Sequence, residues 1–180
     1  MGNLLFSPNG RISSSQFMLG AIVLIIYGAI TQLAGLISFQ LAIVLSLVGL
    51  VTIWCWVVLW VKRFHDGGKS GWMSLVVILV WIVIGWISSI MLMPFIAGDM
   101  AQQTAEMTEA MESAGEAGDL GGVWTMMMDM MGKTAKKTAI PNAIMGAVVA
   151  GLVAYVGNML IKHDPNDNQW GPAGVGSTFE

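Results

Sequence analysis

Long apolar runs separated by short polar stretches dominate the pattern of hydrophobic and polar positions along this 180-residue chain. As one helix, the first run, residues 17–61, would measure roughly 67 Å, more than twice the roughly 30 Å core of a bilayer, so the chain must turn back within it. Apolarity dips near residues 35–40, which places the turn there. The pattern then predicts four membrane-spanning helices, at about 17–37, 41–61, 71–96 and 140–161.

Local signals set the expected ends of these spans. Ser13 and Gln16 have the spacing of a capping box, so the first helix should begin near Ser14. Pro94 is expected to kink or end the third span. Pro141 is expected in the first turn of the fourth, where its missing N–H does no harm.

Composition explains why these runs belong in a membrane. With 56% apolar and 11% charged residues, the chain has too little polar surface to coat a soluble globule. The net charge of -3 and the lack of a long basic run argue against a nucleic-acid partner. We therefore predict an all-α protein, a four-helix bundle forming one integral membrane domain over residues 1–180, with no cofactor.

The short connection at residues 62–72, KRFHDGGKSGW, is the densest polar stretch next to an apolar run, and we expect it at the membrane surface. In one interpretation it is structural: Asp66 pairs with Arg63 or Lys69, and the glycines make the reversal. In another, the stretch contacts anionic lipid head groups or a partner's acidic patch. The candidate binding residues are Arg11, Arg63, His65, Asp66, Lys69, Ser70 and Trp72.

Two further kinds of chemistry deserve consideration in this stretch. The Gly-Lys-Ser run at 68–70 resembles the end of a phosphate-binding loop, but Arg63 stands where that motif needs a glycine, which argues against a nucleotide site. The His-Asp pair at 65–66 recurs at 163–164, so a shared divalent metal is conceivable.

Residues 98–139 differ from the rest of the chain, because they hold seven acidic residues, three lysines and eight of the fifteen methionines. We predict an acidic, Met-rich extramembrane loop. Its thioethers could bind Cu(I), or they could form the apolar face of an amphipathic helix that needs no metal. The candidate copper ligands are Met126, Met127, Met128, Met130 and Met131.

The distribution of basic residues predicts the topology. Five of the eight lysines and arginines fall on the side of the N-terminus, the 62–72 connection and the tail. The other three fall in the segment 98–139. This bias favours both termini in the cytoplasm, with segment 98–139 outside.

Small residues indicate how the helices pack. Gly146, Ala150 and Ala154 recur at four-residue spacing and predict the packing seam of the fourth span. Gln32 and Asn158 are the expected hydrogen-bonding residues between helices.

The interiors of the four spans contain no Asp, Glu, Lys, Arg or His, which disfavours ion-coupled transport. No nucleophile is paired with a base on one surface, which disfavours catalysis. We expect a structural, interaction or lipid-contacting role rather than an enzyme. Its partners would be membrane lipids, another membrane protein or a second copy of the chain. The alternative is an oligomeric permeation protein for a small solute or metal ion, which would need a polar stripe through one span; the sequence offers only scattered Thr, Ser and Gln.

Several motifs resemble those of one family. Gly10-Arg11-Ile12-Ser13 with Phe17, the RFHDxGxSGW pattern at 63–72, and a late Trp-Gly-Pro at 170–172 are similar to the domain of unknown function family numbered 805. The Met-rich insertion departs from the family's pattern. The resemblance implies a bacterial inner-membrane location and brings no established activity.

Overall fold

The computed structural model describes residues 2–117 and 120–173, which fold into α-helices and short connections. Within these ranges four segments are long and apolar enough to cross a membrane, which confirms the predicted all-α, four-span architecture. The elements are α1 (Gly2–Phe6), α2 (Ser14–Ile37), α3 (Phe39–Asp66), a 3₁₀ turn (Gly71–Met73), α4 (Ser74–Ala117) and α5 (Leu120–Leu160).

The first helical hairpin follows the sequence signals closely. Ser13 caps α2 through the predicted capping box, with its hydroxyl accepting from the Gln16 backbone and the Gln16 side chain accepting from the Ser13 backbone. Ser38 both ends α2 and caps α3, so the reversal takes a single extended residue. The tight turn predicted between residues 35 and 40 is confirmed.

The connection after α3 is shorter than predicted, because the helix continues to Asp66 rather than ending at 61. Residues 62–66 are therefore its last turn, and all five are buried. Arg63 lies where a cation interacts favourably with the helix C-terminus, and the Gly67 N–H caps the free carbonyl groups.

The predicted Met-rich loop is wrong in its local structure. α4 runs on to Ala117 and α5 starts at Leu120, so 98–117 and 120–139 are helical, and positions 118–119 lie outside the described residues. Ala, Met, Glu, Gln and Lys are all good helix formers, which favours this outcome. Pro94 and Pro141 lie inside α4 and α5 rather than at their ends.

α2 packs between α3 and α5 and is antiparallel to both. Close approach depends on small residues: a Cβ on Gly157 would lie 2.5 Å from the Trp60 ring. The predicted seam on α5 is right at Ala150 and Ala154, which are buried. It is wrong at Gly146, where an added Cβ would meet nothing within 4 Å, since the buried seam continues through Ala143 instead.

The span that begins α4 is held much more loosely. Only 6% of its most apolar window is buried within the protein, against 28% for α2. α4 also contacts α5, and the carboxylate of Glu106 in the later part of α4 is close enough to Lys133 to interact electrostatically. Space therefore remains inside the bundle between the start of α4 and the other three spans.

Candidate functional site

Buried polar side chains meet at the end of the bundle where α3 and α5 finish, and Asp66 is their centre. Its carboxylate accepts from Arg11 Nε at 3.3 Å and from Arg63 Nη1 at 2.5 Å, and it lies 2.9 Å from His163 Nδ1. Two buried guanidinium groups thus share one buried carboxylate. We call the buried Arg11, Arg63, Asp66 and Asn158, together with the exposed His163, the polar cluster.

Arg11 joins the N-terminal segment to the tail that follows α5. Besides Asp66, its guanidinium donates to the backbone carbonyl of Asn166 at 2.9 Å and to that of Asp164. The Asp164 N–H donates to the carbonyl oxygen of Asp66 at 2.8 Å, which adds a direct link between tail and α3. Arg11 therefore connects three separate parts of the chain: the N-terminal segment, the end of α3 and the tail.

Arg63 caps the end of α5. It donates from Nη2 to the carbonyl oxygens of Asn158 (3.1 Å) and Ile161, and from Nε to the Asn158 side chain at 2.5 Å. The Asn158 amide in turn donates to the Ser14 hydroxyl at 2.7 Å. This path ties α3, α5 and the start of α2 together, and it confirms Asn158 as a hydrogen-bonding residue between helices.

The His65 ring makes two contacts in the same region, one stacking contact and one hydrogen bond. Its ring stacks on Trp170 with centroids 4.4 Å apart and 9° between planes, and Nδ1 lies 3.0 Å from the carbonyl oxygen of Gly10. A carbonyl can only accept, so Nδ1 carries the proton of this hydrogen bond. A Cβ on Gly71 would lie 3.0 Å from His65 Nε2, so the glycine lets the chain pass the imidazole closely.

The residues that follow α3 are exposed rather than clustered. Gly68 has a φ of +67°, a backbone conformation that favours glycine. Ser70 accepts from the Trp72 N–H and so caps the 3₁₀ turn, as the sequence predicts for a helix start. Lys69, Ser70 and Trp72 are exposed, and Trp72 is 78% accessible.

Of the predicted binding residues, the structure therefore brings Arg11, Arg63, His65 and Asp66 together, and it leaves Lys69, Ser70 and Trp72 outside. The two buried arginines are engaged with Asp66 and with backbone carbonyls of the protein itself. The contribution of the tail was missed for one reason. Its spacing carries no periodic signal, so only the repeated His-Asp pair and the Trp-Gly-Pro motif at 170–172 pointed to it.

The two His-Asp pairs do meet, since His163 contacts Asp66. Within the described residues, however, no group of three or more His, Cys, Asp or Glu side chains is arranged to hold a metal ion. Asp164 instead accepts from the backbone N–H of Asn166 at 3.1 Å, and this hydrogen bond lowers the pKa of the Asp164 carboxyl. It acts as a turn residue.

The candidate copper ligands lie on α5 rather than on a loop. Met130 is buried, Met126, Met127 and Met128 are half-buried, and Met131 is exposed. Neighbouring side chains there include the exposed pair of Asp129 and Lys133, 2.7 Å apart. Cu(I) binding stays a prediction, and loss of stoichiometric Cu(I) binding on changing all five methionines to Leu would test it.

A lateral cavity of about 600 Å³ lies between α2, α3, α4 and α5. Its walls are mainly apolar, with Trp56, Trp60 and Trp81 beside small residues such as Gly28 and Gly146. It exists because α4 stands away from the other three spans, so an added Cβ on either glycine would meet nothing within 4 Å. Bundles commonly carry ligand sites in such positions.

The polar residues that line this cavity come from three different spans: Gln32, Thr52 and Asn142. The Thr52 hydroxyl donates to the Gly49 carbonyl at 2.6 Å. In the described part of the chain, the amides of the exposed Gln32 and the half-buried Asn142 have no hydrogen-bond partner in the protein, so the hydrogen bond expected of Gln32 between helices is not formed. Sequence reasoning sought a polar stripe along one span and therefore missed a set assembled from three.

One comparison with known proteins gives a result. A family model described as "Protein of unknown function (DUF805)" matches residues 5–105. The chain belongs to the DUF805 family. The match covers Arg11 and the 63–72 motif of this DUF805 protein, and it ends before α5 and the tail. No curated protein and no solved structure matches the chain.

Proposed function

We propose that the protein is a non-enzymatic lipid-binding protein of the bacterial inner membrane, and that its lateral cavity holds the apolar chain of a membrane lipid. The observation that carries this proposal is the cavity itself, about 600 Å³ with mainly apolar walls, between the four spans. The family resemblance supports the bacterial inner-membrane location.

The physical argument starts from what surrounds the cavity. If a cavity of this size were empty, its lining side chains would have no contacts on one side, and this loss of van der Waals contacts is energetically unfavourable. The cavity is formed by membrane-spanning segments, so the molecules at its opening are lipids. In a membrane, acyl chains are the apolar groups present at the highest concentration. An acyl chain that enters the cavity moves from one apolar environment to another, so it is not transferred from water.

The polar cluster has a supporting role in this proposal. Asp66 neutralises one of two buried arginines, and the network fixes α2, α3, α5 and the tail relative to one another. On that side of the membrane, the exposed Lys69 and Trp72 are then the residues that contact lipid head groups. With both termini in the cytoplasm, these would be head groups of the inner leaflet.

Filling the cavity tests the proposal. The double variant Gly28→Phe/Gly146→Phe places two rings in the cavity, at positions where an added Cβ meets nothing within 4 Å. Gly85→Phe/Gly151→Phe is the matched control, because both glycines are equally open but do not line the cavity. Native mass spectrometry of the purified proteins should show retained phospholipid in the wild type and the control, and loss of it in the filled variant. Equal retention in all three would overturn the proposal.

A second candidate function is permeation of a small solute by an oligomer of the chain. The observation that favours it is the set of polar side chains from three spans in one cavity, Gln32, Thr52 and Asn142. Solute flux into proteoliposomes that is blocked by the same double Phe variant, but not by its control, would support permeation. Lipid retention without flux would support lipid binding alone.

A further inference from the structure

We infer that Gln32 and Asn142 form a recognition site for the ester carbonyl groups of a glycerolipid whose acyl chain occupies the cavity. This inference rests on the proposed lipid-binding function and adds to it the chemical group that is recognised. It also assigns the bound lipid to one leaflet, the one on the side of the turn between α2 and α3.

The first step is the depth of the two amides. At the end of α2, a Cβ on Gly35 would lie 3.5 Å from the Ala135 carbonyl oxygen, and a Cβ on Gly132 would lie 3.7 Å from Phe39. The α2–α3 turn is therefore level with residues 132–135 of α5. The three lysines of α5, Lys133, Lys136 and Lys137, lie at this level, as expected for the membrane–water interface.

Measured from this level toward the centre of the bilayer, Gln32 lies three residues from Gly35 along α2, or roughly 5 Å deeper. Asn142 lies seven residues from Ala135 along α5, or roughly 10 Å deeper. Both amides thus lie just inside the interface, where a glycerolipid carries its ester carbonyl groups rather than its phosphate. Neither position is at the centre of the bilayer.

The second step is the chemistry of the amides. Each presents an NH₂ group that can donate, and in the described structure neither has a partner within the protein. Gln32 is exposed at the protein surface and Asn142 is half-buried, so within the membrane both amides face lipid rather than protein partners. An amide without an acceptor in that environment is unfavourable, so a ligand that supplies acceptors at this depth would be favoured. The residues that line the cavity include no ionisable group, so the buried part of the ligand must be uncharged. Ester carbonyls are uncharged acceptors.

The third step is the length of the apolar part. On α2 the lining residues run from Gln32 to Leu24, roughly 12 Å of helix, and the cavity continues toward Trp60 at the end near the polar cluster. One leaflet contributes about 15 Å of hydrocarbon, so a chain that enters with its ester at the amides fits the direction and extent of the cavity.

The test compares lipids that differ only in the ester groups. The full-length protein is incubated with equal amounts of diacyl phosphatidylethanolamine and its dialkyl ether analogue of the same chain length, and bound lipid is counted by native mass spectrometry. We expect the wild type to prefer the ester lipid roughly three- to tenfold, the effect of one to two hydrogen bonds. Gln32→Leu/Asn142→Leu should bind both lipids equally.

The control is Gln40→Leu, which makes the same change at the α2–α3 turn, where the amide contacts Ser38 and does not line the cavity. It should keep the ester preference. Equal binding of ester and ether lipids by the wild type, with binding abolished by Gly28→Phe/Gly146→Phe, would overturn this inference and leave the proposed function intact. Binding that the Phe variant does not reduce would overturn both.

Discussion

Removing the Asp66 carboxylate is the sharpest perturbation of the polar cluster. In Asp66→Ala, Arg11 and Arg63 keep their positive charges while remaining 7% and 3% exposed, and both lose their carboxylate partner. Breaking a buried ion pair from one side costs about 3–5 kcal/mol. Both guanidinium groups keep backbone carbonyl acceptors, so we expect a loss near the lower end, about 3 kcal/mol.

The assay is equilibrium unfolding by SDS titration in mixed micelles, with helix content as the readout. Asp129→Ala is the matched control, because its pair with Lys133 is exposed and such pairs contribute about 0–1 kcal/mol. Amide exchange at Asp164 and Asn168 should also become faster in Asp66→Ala, since Arg11 no longer holds the tail firmly. A destabilisation no larger than that of Asp129→Ala would refute the reasoning.

Two further predictions concern packing and pH. Gly157→Ala should destabilise the protein by about 1–3 kcal/mol in the same titration, because the added Cβ lies 2.5 Å from the Trp60 ring, whereas Gly151→Ala should stay within about 0.5 kcal/mol. The pKa of Asp164 is lowered in the folded state by the Asn166 N–H, so its stabilising contribution is present above the unfolded value near 4 and is lost as pH falls through the folded value. Asp164→Asn should reduce the acid-induced release of the tail, measured by amide exchange.

Much of this fold can be predicted from the sequence, because the burial of apolar side chains in a membrane and the capping of helices leave local patterns along the chain. Run length and apolarity identify four spans, and Ser13 with Gln16 identifies the start of α2. The sequence also names Arg63 as one of two candidate partners of Asp66, beside Lys69, and the structure shows the pair with Arg63. Predictions failed where competing signals had to be weighed, as at residues 98–139, where polar composition indicated a loop but helix propensity prevailed.

The cavity could not be predicted, for a physical reason. Its polar residues, Gln32, Thr52 and Asn142, are isolated within three apolar runs, and each alone is unremarkable in a membrane helix. Only the crossing of the helices and the displaced start of α4 bring them together. The same holds for the stacking of Trp170 on His65, which joins residues more than 100 positions apart.

The occupant of the cavity can be identified most directly by photo-crosslinking in a bilayer. The full-length protein is placed in nanodiscs of phosphatidylethanolamine that carries a diazirine in the middle of one acyl chain, and adducts are mapped by mass spectrometry. We predict adducts on cavity residues such as Ala29 and Ala147, lost in Gly28→Phe/Gly146→Phe. Adducts confined to outward-facing residues of α4, such as Val83 and Trp86, would contradict a lipid-occupied cavity.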